Sequence, residues 1–556
     1  MKARIGFLLA TLVLAAAVGH AAEGLPWWSN PWTESFRSAS TASLLEDDLD
    51  LMLDPGMMPL IEGYRLYTNL ANFVDKDEEI FNPADTNNYY LIGGKAPFFG
   101  YGHMGLLYDR RFSRSSDTTS ATGSYFEDLD ANGTYDRRTV QEGMNYSGQQ
   151  EKDTHWWLGF GREMGTGRIG LLVYHQDGYY KEQPGANNYE GKTTVTDLVT
   201  GATTLSAEQS ETRNDQTTYS VNGGALSYWR PMTENLDLGV AAGLNIHLAE
   251  ELDSLTYAYS ATSPSTPGVN GTTIDSTAVL NKIPWDHVGL ELNLRLAGIY
   301  KWNDNVRTRT DLMFSTLSSS TDEGSITSEY NYLSAFQLPA PLGVNSTSIT
   351  RNRMAETVAQ ENSFLGVGLF SKTTVKFNDR VEMSIGLGLG SSKGDHSTEF
   401  TSDYTETIVY NDGDPANFTD YTQVTTGSMN YKDLYTWSQL NIVAPVAVEF
   451  HITDPVVFRL GAHHSFSYSE YAETDHYEFV PDRVSYTDAW GVTTVSHPTA
   501  YGSYNAVSYT GQDAYNQTHF TYGAGWQITD NLQLDFMGFA KLDDLTNWKL
   551  SAIFKF

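Results

Sequence analysis

The chain contains no cysteine, and this absence excludes several classes of protein. A disulfide framework, a lipid-modified N-terminal Cys, a metal–thiolate site and a Cys nucleophile all require a residue type that none of the 556 positions provides. Cations are also scarce, with 35 Lys and Arg against 68 Asp and Glu. Because phosphate binding needs clustered cations, we do not expect nucleic acid as a partner.

Long apolar runs are absent beyond the N-terminus. Lys2 and Arg4 precede an apolar stretch at 5–18, and small residues follow it. This layout predicts a cleavable signal peptide at 1–21. No later segment has about 18 consecutive apolar residues, so we expect no helical membrane span, whereas alternating strands remain compatible with the composition.

One short turn occurs five times at nearly even spacing. The copies are Met232-Thr-Glu-Asn-Leu236, Trp302-Asn-Asp-Asn-Val306, Phe377-Asn-Asp-Arg-Val381, Ile452-Thr-Asp-Pro-Val456 and Ile528-Thr-Asp-Asn-Leu532. An alternating strand enters and leaves every copy, and the connections between copies are long and polar. Short turns at one edge of a sheet and long loops at the other are typical of bacterial outer-membrane β-barrels.

Alternating runs predict an all-β fold, a transmembrane antiparallel up-and-down β-barrel of about sixteen strands at 61–556. Fourteen strands follow instead if the 62–114 region pairs differently. The predicted strands are 62–74, 88–98, 102–114, 153–164, 168–181, 216–230, 236–257, 286–301, 306–330, 358–376, 381–405, 430–451, 456–478, 514–527, 532–541 and 546–556. We expect the long loops between them to be hairpins that continue beyond the membrane.

The two faces of the predicted strands differ in polarity. Leu290, Leu292 and Leu294 share one face, while Glu291 and Asn293 share the other. An all-apolar face indicates lipid, because a soluble sandwich would not need so many small residues on its polar face. We therefore expect a small-residue, polar lumen with water-filled room.

The predicted lumen carries ions of both signs. These ions either set ionic selectivity or pair across neighbouring strands to brace the barrel. They are Glu291, Arg295, Arg307, Arg309, Asp311, Lys372, Glu382, Glu449 and Arg459, with further inward-pointing ions that include Asp535.

Aromatic residues mark both the predicted strand ends and the end of the chain. Tryptophans near strand ends predict a girdle, and they are Trp156, Trp229, Trp285, Trp302, Trp437, Trp526 and Trp548. The last strand puts Trp548, Leu550, Phe554 and Phe556 on one face, and it resembles the C-terminal recognition strand of outer-membrane proteins. That resemblance implies location in the cell outer membrane, with the barrel assembly machinery, membrane lipid and lipopolysaccharide as partners.

Residues 22–60 do not alternate and form a separate predicted segment. Thr41 to Leu53 predicts an amphipathic helix with Leu44, Leu45, Leu49, Met52 and Leu53 on one side, and Pro55-Gly56 ends it. A helix with an apolar stripe must pack against something. The lumen, the periplasmic rim and a partner protein are the alternatives.

The passage that follows this helix carries a second resemblance. Asp54-Pro-Gly-Met-Met-Pro-Leu-Ile-Glu-Gly63 is similar to the Asn-Pro-Ala-Gly-Met…Leu…Gly passage between hatch and first strand in outer-membrane long-chain fatty-acid transporters. Asp54 and Gly56 depart from that pattern, the glycine-rich start is missing, and the strand count exceeds the family's fourteen. The resemblance implies an N-terminal plug and passage of a hydrophobic molecule.

A candidate calcium loop lies between two predicted strands. Asp128, Asp130, Asn132 and Asp136 occupy positions 1, 3, 5 and 9 of a calcium-loop pattern, with a glycine at position 6. Thr139 stands where a bidentate Glu is expected. The alternative is an Asx-rich hairpin tip that uses the same residues for turn geometry.

Pro445 interrupts a regular predicted strand. Proline cannot donate to a ladder, so a bulge or kink is expected there. The functional interpretation is a gap for lateral exit of a hydrophobic solute, and the structural one is a local bulge.

The chain has no Gly-x-Ser-x-Gly elbow, His-Glu-x-x-His motif or phosphate loop, so we do not expect an enzyme. We expect an outer-membrane, porin-like channel for passive passage of small or hydrophobic solutes. The alternative is a surface-exposed structural or adhesive barrel without transport activity, motivated by the polar loops.

Overall fold

The computed structural model describes residues 27, 35–71, 87–129, 134–182, 188–263, 271–282, 285–321, 324–337, 345–412, 419–497, 504–505, 509–539 and 549–556. The predicted signal peptide at 1–21 lies outside these ranges. No helix within them is long and apolar enough to cross a membrane.

The described strands form one antiparallel sheet. They are β1 (Arg65–Ala71), β2 (Asn87–Phe98), β3 (Gly102–Glu127), β4 (Arg137–Met164), β5 (Gly167–Glu182), β6 (Asn188–Asp197), β7 (Thr203–Thr233), β8 (Leu236–Ser263), β9 (Gly271–Lys282), β10 (Trp285–Asn303), β11 (Val306–Thr321), β12 (Gly324–Gln337), β13 (Asn345–Asn378), β14 (Val381–Asn411), β15 (Tyr421–Thr453), β16 (Val456–Asp488), β17 (Thr493–Ser496), β18 (Tyr504–Asn505), β19 (Tyr509–Thr529), β20 (Leu532–Phe539) and β21 (Lys549–Lys555). β1 pairs with β21, which closes the sheet into a barrel.

Sixteen of these strands build the barrel wall, as predicted, and the fourteen-strand alternative is wrong. The other five, β6, β9, β12, β17 and β18, pair with the far ends of wall strands, and β9 and β12 also pair with each other. β6 joins β4 and β7, and β12 joins β9 and β13. The long connections are therefore continued hairpins, as expected. One predicted strand, 306–330, is wrong as a unit, because β11 ends at Thr321 and β12 pairs with different neighbours.

The five repeated turns share one local structure. In each turn two residues separate the paired strand ends, for example between Asn303 and Val306. The side chain of the last residue of the incoming strand, here Asn303, accepts a hydrogen bond from the turn. The Asn305 N–H donates to Asn303 Oδ1 at 2.9 Å, and in the fourth copy Pro455 takes this position without needing an acceptor. A backbone carbonyl of each turn also accepts a hydrogen bond, at 2.7–2.9 Å, from a backbone N–H of a neighbouring strand. The donor and acceptor pairs are Lys301 to Asn235, Lys376 to Asn305, His451 to Arg380, Gln527 to Pro455 and Lys555 to Asn531.

The predicted outward and inward faces are confirmed. Leu292 is 50% exposed on the outer surface, whereas its neighbour Glu291 is 7% exposed. The tryptophan girdle is wrong for two members, because Trp229 is buried inside the barrel and Trp437 stacks on buried Phe364. Trp548 and the side chain of Trp285 lie outside the part that the structure describes.

The chain before β1 forms two short helices, Phe36–Ser40 and Asp48–Leu53, and a 3-10 turn at Met58–Leu60. The predicted helix from Thr41 to Leu53 is therefore wrong over its first half. Ala42 and Ser43 have φ values of 50° and 62°, which a right-handed helix does not allow. The second helix starts instead at the Asp47 cap, whose side chain accepts from the Leu49 N–H.

Pro445 interrupts the pairing of β15 with β14 without a bulge. Ile385 pairs with Val446 and Gly388 pairs with Val443, so two pairs are missing while the register continues unchanged. On its other side Pro445 still pairs with His463 of β16. Of the expected bulge or kink, the bulge is wrong and the kink stays a prediction; the missing proline N–H leaves a local gap in one ladder.

Candidate functional site

Residues 35–61, the inner segment, lie inside the barrel. They contact strands on several sides of the wall: Gly56 N–H donates to Ser227 Oγ of β7 at 2.9 Å, and Thr521 Oγ1 of β19 donates to the Ser40 carbonyl at 2.9 Å. The five apolar residues of the predicted stripe are all at most 4% exposed. The segment therefore packs against the lumen wall, which was one of three predicted alternatives.

One half of the wall holds the inner segment with ion pairs. Glu46 of the segment accepts from Arg309 of β11 at 2.6 Å and from Lys372 of β13 at 2.9 Å. Asp54 contacts Arg295 of β10 at 3.3 Å, and Trp229 Nε1 donates to the same carboxylate at 3.1 Å. The segment's acids thus meet the wall's cations.

On β14 and β15 the signs are reversed, because Arg37 of the segment is a cation that meets acidic residues of the wall. Its guanidinium lies 2.7 Å from Glu382 of β14 and 3.0 Å from Glu449 of β15. Glu449 also accepts from Arg459 of β16 at 2.8 Å, and Arg459 reaches Asp535 of β20 at 2.6 Å. We call these strands, β10, β11, β13–β16 and β20, the charged wall.

Charged residues of the charged wall also form ion pairs with one another. Asp311 of β11 accepts from Arg295 at 2.6 Å and from Arg309 at 3.0 Å; the side chains of Asp311 and Arg295 are 1% exposed and that of Arg309 is 12% exposed. Removing one member of such a network leaves an uncompensated buried charge, which costs about 3–5 kcal/mol. The ion pairs therefore fix the inner segment in one position.

The other half of the interior is largely apolar, although Arg65 of β1 pairs with Asp48 of the segment at 2.6 Å and buried Lys95 of β2 donates to the Ile61 carbonyl. The segment's Leu49, Met52, Leu53, Met58 and Ile61 belong to one buried cluster with inward side chains of the wall. We call these wall residues the apolar wall, and they are Tyr67 of β1, Tyr89 and Leu91 of β2, Leu107 of β3, Trp157 of β4, Leu172 and Tyr174 of β5, Ala225 of β7, Ala241 of β8 and Ile553 of β21. The expectation of a wholly polar lumen is wrong for this half.

Small residues of the wall make room for the segment's backbone. A Cβ at Gly161 would overlap Pro55, a Cβ at Gly170 would overlap Gly56, and one at Gly461 would lie 2.8 Å from the Ala42 nitrogen. These distances are shorter than real Cβ contacts. At these positions the small residues accommodate the chain's own N-terminal segment, where we had expected water.

The nine predicted lumen ions divide by environment. Arg307 is exposed, and Glu291 belongs to a separate polar group with His247 at 2.8 Å and Asn245 at 2.7 Å. The other seven, Arg295, Arg309, Asp311, Lys372, Glu382, Glu449 and Arg459, form the ion pairs described above. Their predicted role in ion selectivity stays a prediction.

Sequence reasoning missed Arg37, Glu46 and Asp54 as the partners of the lumen ions. Their separation along the chain is large: Arg37 and Glu449 are 412 positions apart. One usable signal is the presence of apolar residues on both faces of a strand, as with Leu91 and Ile92 of β2, since such a strand must face apolar matter inside as well as outside.

The candidate calcium loop is described only in part. Asp128 and Asp136 lie at the tip of the β3–β4 hairpin, where Asp136 Oδ2 accepts from the Leu129 N–H at 2.8 Å. Asp130 and Asn132 are outside the described residues. Calcium binding by this loop stays a prediction.

The end of the chain completes the barrel. The Phe556 N–H donates to the Tyr64 carbonyl at 3.1 Å, and the Tyr64 N–H donates back at 2.9 Å. Leu550 and Phe554 pair with β1 residues, while Phe556 is 69% exposed. Recognition of this strand by assembly machinery remains an expectation.

A closed sixteen-stranded antiparallel barrel with an apolar outer band is the architecture of bacterial outer-membrane β-barrels, and this chain has that architecture.

Solved structures with this type of fold include hydrocarbon transporters. The toluene transporter TbuX of Ralstonia pickettii is 11% identical, with a TM-score of 0.29 and coverage of 95% of this chain and 99% of that chain. The toluene transporter TodX of Pseudomonas putida is 11% identical, with a TM-score of 0.30 and coverage of 93% and 96%. Similarity at this level carries no inference about the solute. No protein-family model and no curated protein matches the chain.

Proposed function

We propose that the protein is an outer-membrane channel for small hydrophobic solutes, and that the inner segment closes it in the conformation described. The observation that carries this proposal is the division of the interior. Three acidic or basic residues of the segment form ion pairs with the charged wall, whereas apolar packing dominates its contact with the apolar wall, beside which Asp48 pairs with Arg65.

The difference between these contacts favours a hydrophobic solute. A polar solute passing along the charged wall has to separate buried ion pairs, at about 3–5 kcal/mol for each uncompensated charge. An apolar solute passing along the apolar wall replaces one apolar contact by another, so the net cost of exchange is small. The favoured route therefore runs between the Leu49–Met52–Met58 side of the segment and Leu107, Trp157 and Leu172.

A structural or adhesive role is the second candidate. It is supported by the extracellular hairpins, in which β6, β9 and β12 widen the sheet beyond the apolar band. Such a protein would keep the inner segment fixed and pass no solute. The two candidates therefore differ in a measurable property, the permeability of the folded barrel.

Uptake by whole cells tests the channel. A Gram-negative host lacking its own hydrocarbon channels is given the full-length protein, and entry of a labelled small aromatic hydrocarbon is compared with entry of a sugar of similar size. We expect faster hydrocarbon entry with little change for the sugar. Equal entry in cells with and without folded protein would contradict the channel and favour the structural role.

A further inference from the structure

Three carboxylates meet on the inner face of the β15–β16 hairpin, away from the ion pairs of the inner segment. Asp433 of β15 lies directly opposite Asp475 of β16, and Glu473 is the diagonal neighbour. One oxygen from each of the three lies within 4.8 Å of the other two. Like charges directly opposite on paired strands destabilise a sheet. This placement calls for a compensating positive charge.

The group lies beyond the membrane band. The outward face of β15 is continuously apolar up to Leu440 and becomes mixed beyond it, with Ser438, Thr436, Leu434 and Lys432 exposed in turn. Position 433 is further along the strand toward the extracellular end. Asp433 and Glu449 are separated by an even number of positions in an unshifted register, so both point inward.

The protein itself supplies no cation to this group among the described residues. Lys432 points to the other face and lies 4.0 Å from Glu399. Asp475 accepts a hydrogen bond from the Tyr431 hydroxyl at 2.9 Å, which neutralises no charge.

A second observation concerns Asp433 alone. Its side chain is only 4% exposed, and its buried Oδ1 has no hydrogen-bond partner in the part of the chain that the structure describes. A buried carboxylate oxygen without a donor is costly, because it has lost water and gained nothing. The Asp433 carboxylate is directed into the group, because one of its oxygens lies within 4.8 Å of an oxygen of Glu473 and of Asp475.

We propose that Asp433, Glu473 and Asp475 bind one divalent cation, and that Ca²⁺ is the ion that fits. Calcium takes carboxylate oxygens at about 2.3–2.6 Å, so two of its ligands are at most about 5 Å apart. The observed oxygen separations already satisfy this limit. The ion ties β15 to β16 above the membrane and removes the repulsion between opposed carboxylates.

Titration of the full-length folded protein in detergent tests the site. After removal of metals with a chelator, CaCl2 is added in a calorimeter, and Tb³⁺ is used as a luminescent probe excited through Tyr431 and its neighbours. We expect Asp433→Asn to weaken binding about tenfold or more, because a site's affinity depends on its charged ligands. Glu399→Gln, on the neighbouring strand and facing away, is the matched control and retains full affinity.

Two further measurements keep the result decisive. Heat-modifiable mobility on gels shows whether each variant is folded, and Asp128→Asn separates this site from the β3–β4 loop. The proposal is overturned if folded Asp433→Asn binds calcium as tightly as the parent protein, if only Asp128→Asn loses binding, or if tetramethylammonium binds at this group and calcium does not.

Discussion

The charged wall and the apolar wall face the same inner segment and hold it in different ways. On the charged wall, Arg37, Glu46 and Asp54 of the segment each meet wall residues of opposite sign at defined distances. On the apolar wall, Leu49, Met52 and Met58 pack against side chains that impose no direction on the contact, and the directional contacts on that side, from Arg65 and Lys95, lie beside this packing. Directional contacts fix position, and non-directional contacts permit exchange. We therefore assign anchoring of the inner segment to the charged wall and passage of the solute to the apolar wall.

Deleting residues 25–53 should have the largest effect on this comparison, because it removes the anchors Arg37 and Glu46 together with Leu49 and Met52 of the apolar contact. We expect a folded barrel with higher single-channel conductance in planar bilayers and faster entry of bulky solutes. Conductance equal to that of the full-length protein would show that the segment does not close the lumen.

Arg37→Ala should loosen the anchor while leaving the apolar contacts intact. Glu382 loses its described cation, whereas Glu449 keeps Arg459. Since the Arg37 side chain is 22% exposed, we take the low end for a broken buried pair, about 3 kcal/mol, or roughly a hundredfold in the ratio of closed to open states. Open probability in single-channel recordings measures this ratio.

Arg353→Ala is the control for that variant. Arg353 and Glu329 are 3.9 Å apart with exposed side chains, so their separation should leave open probability unchanged. If both variants open the channel equally, the location of the ion pair inside the barrel is irrelevant and the charged wall is not an anchor.

Leu107→Ser should slow the passage of an apolar solute and have less effect on the opening of the channel. Leu107 is fully buried in the apolar cluster, and a hydroxyl there makes the proposed route less favourable for an apolar solute. We expect a severalfold slower entry of the aromatic hydrocarbon with ionic conductance nearly unchanged. Leu440→Ser, on the outer surface, is the control, and slowing by both variants alike would remove the route from the apolar wall.

Pro445→Ala should give the smallest effect, at an apolar patch within the charged wall. Leu44 of the inner segment packs there with Phe370 and Ala447, next to the missing pairs of β14 and β15. A new amide at position 445 can donate to β14, which stabilises the barrel by about 0.5–1.5 kcal/mol. Urea unfolding and hydrogen exchange at that amide measure the gain, and slower hydrocarbon entry would support lateral exit through this gap.

The wall could be predicted from the sequence because its determinants are local. Period-two alternation around Leu292 and Asn293, and a two-residue turn such as Asp304-Asn305, act over a few positions, so strand number and face assignment follow from short windows. The burial of Leu44 and Leu49 could be predicted for the same reason, since an apolar stripe has to pack against something.

The contents of the lumen could not be predicted, because they depend on contacts between distant positions. Nothing near Arg309 or Lys372 in the sequence indicates that Glu46 is their partner. The prediction that ions either set selectivity or brace strands omitted a third arrangement, in which the partner comes from the N-terminal segment. The position of Trp229 near a strand end predicts a girdle residue, but alternation along β7 places it inward with Ala225 and Ser227, where its Nε1 donates to Asp54.

The glycines at 161, 170 and 461 have a consequence for the history of the protein. At each of them the backbone of the inner segment touches the wall. The inner surface of the barrel is therefore shaped to fit the chain's own N-terminal segment at these positions. If the backbone of residues 40–56 followed a different path, glycines would be needed at other wall positions. Positions 161, 170 and 461 could then carry larger residues. The two parts must therefore be inherited together, and an inner segment transplanted from another barrel would meet side chains where it needs empty space.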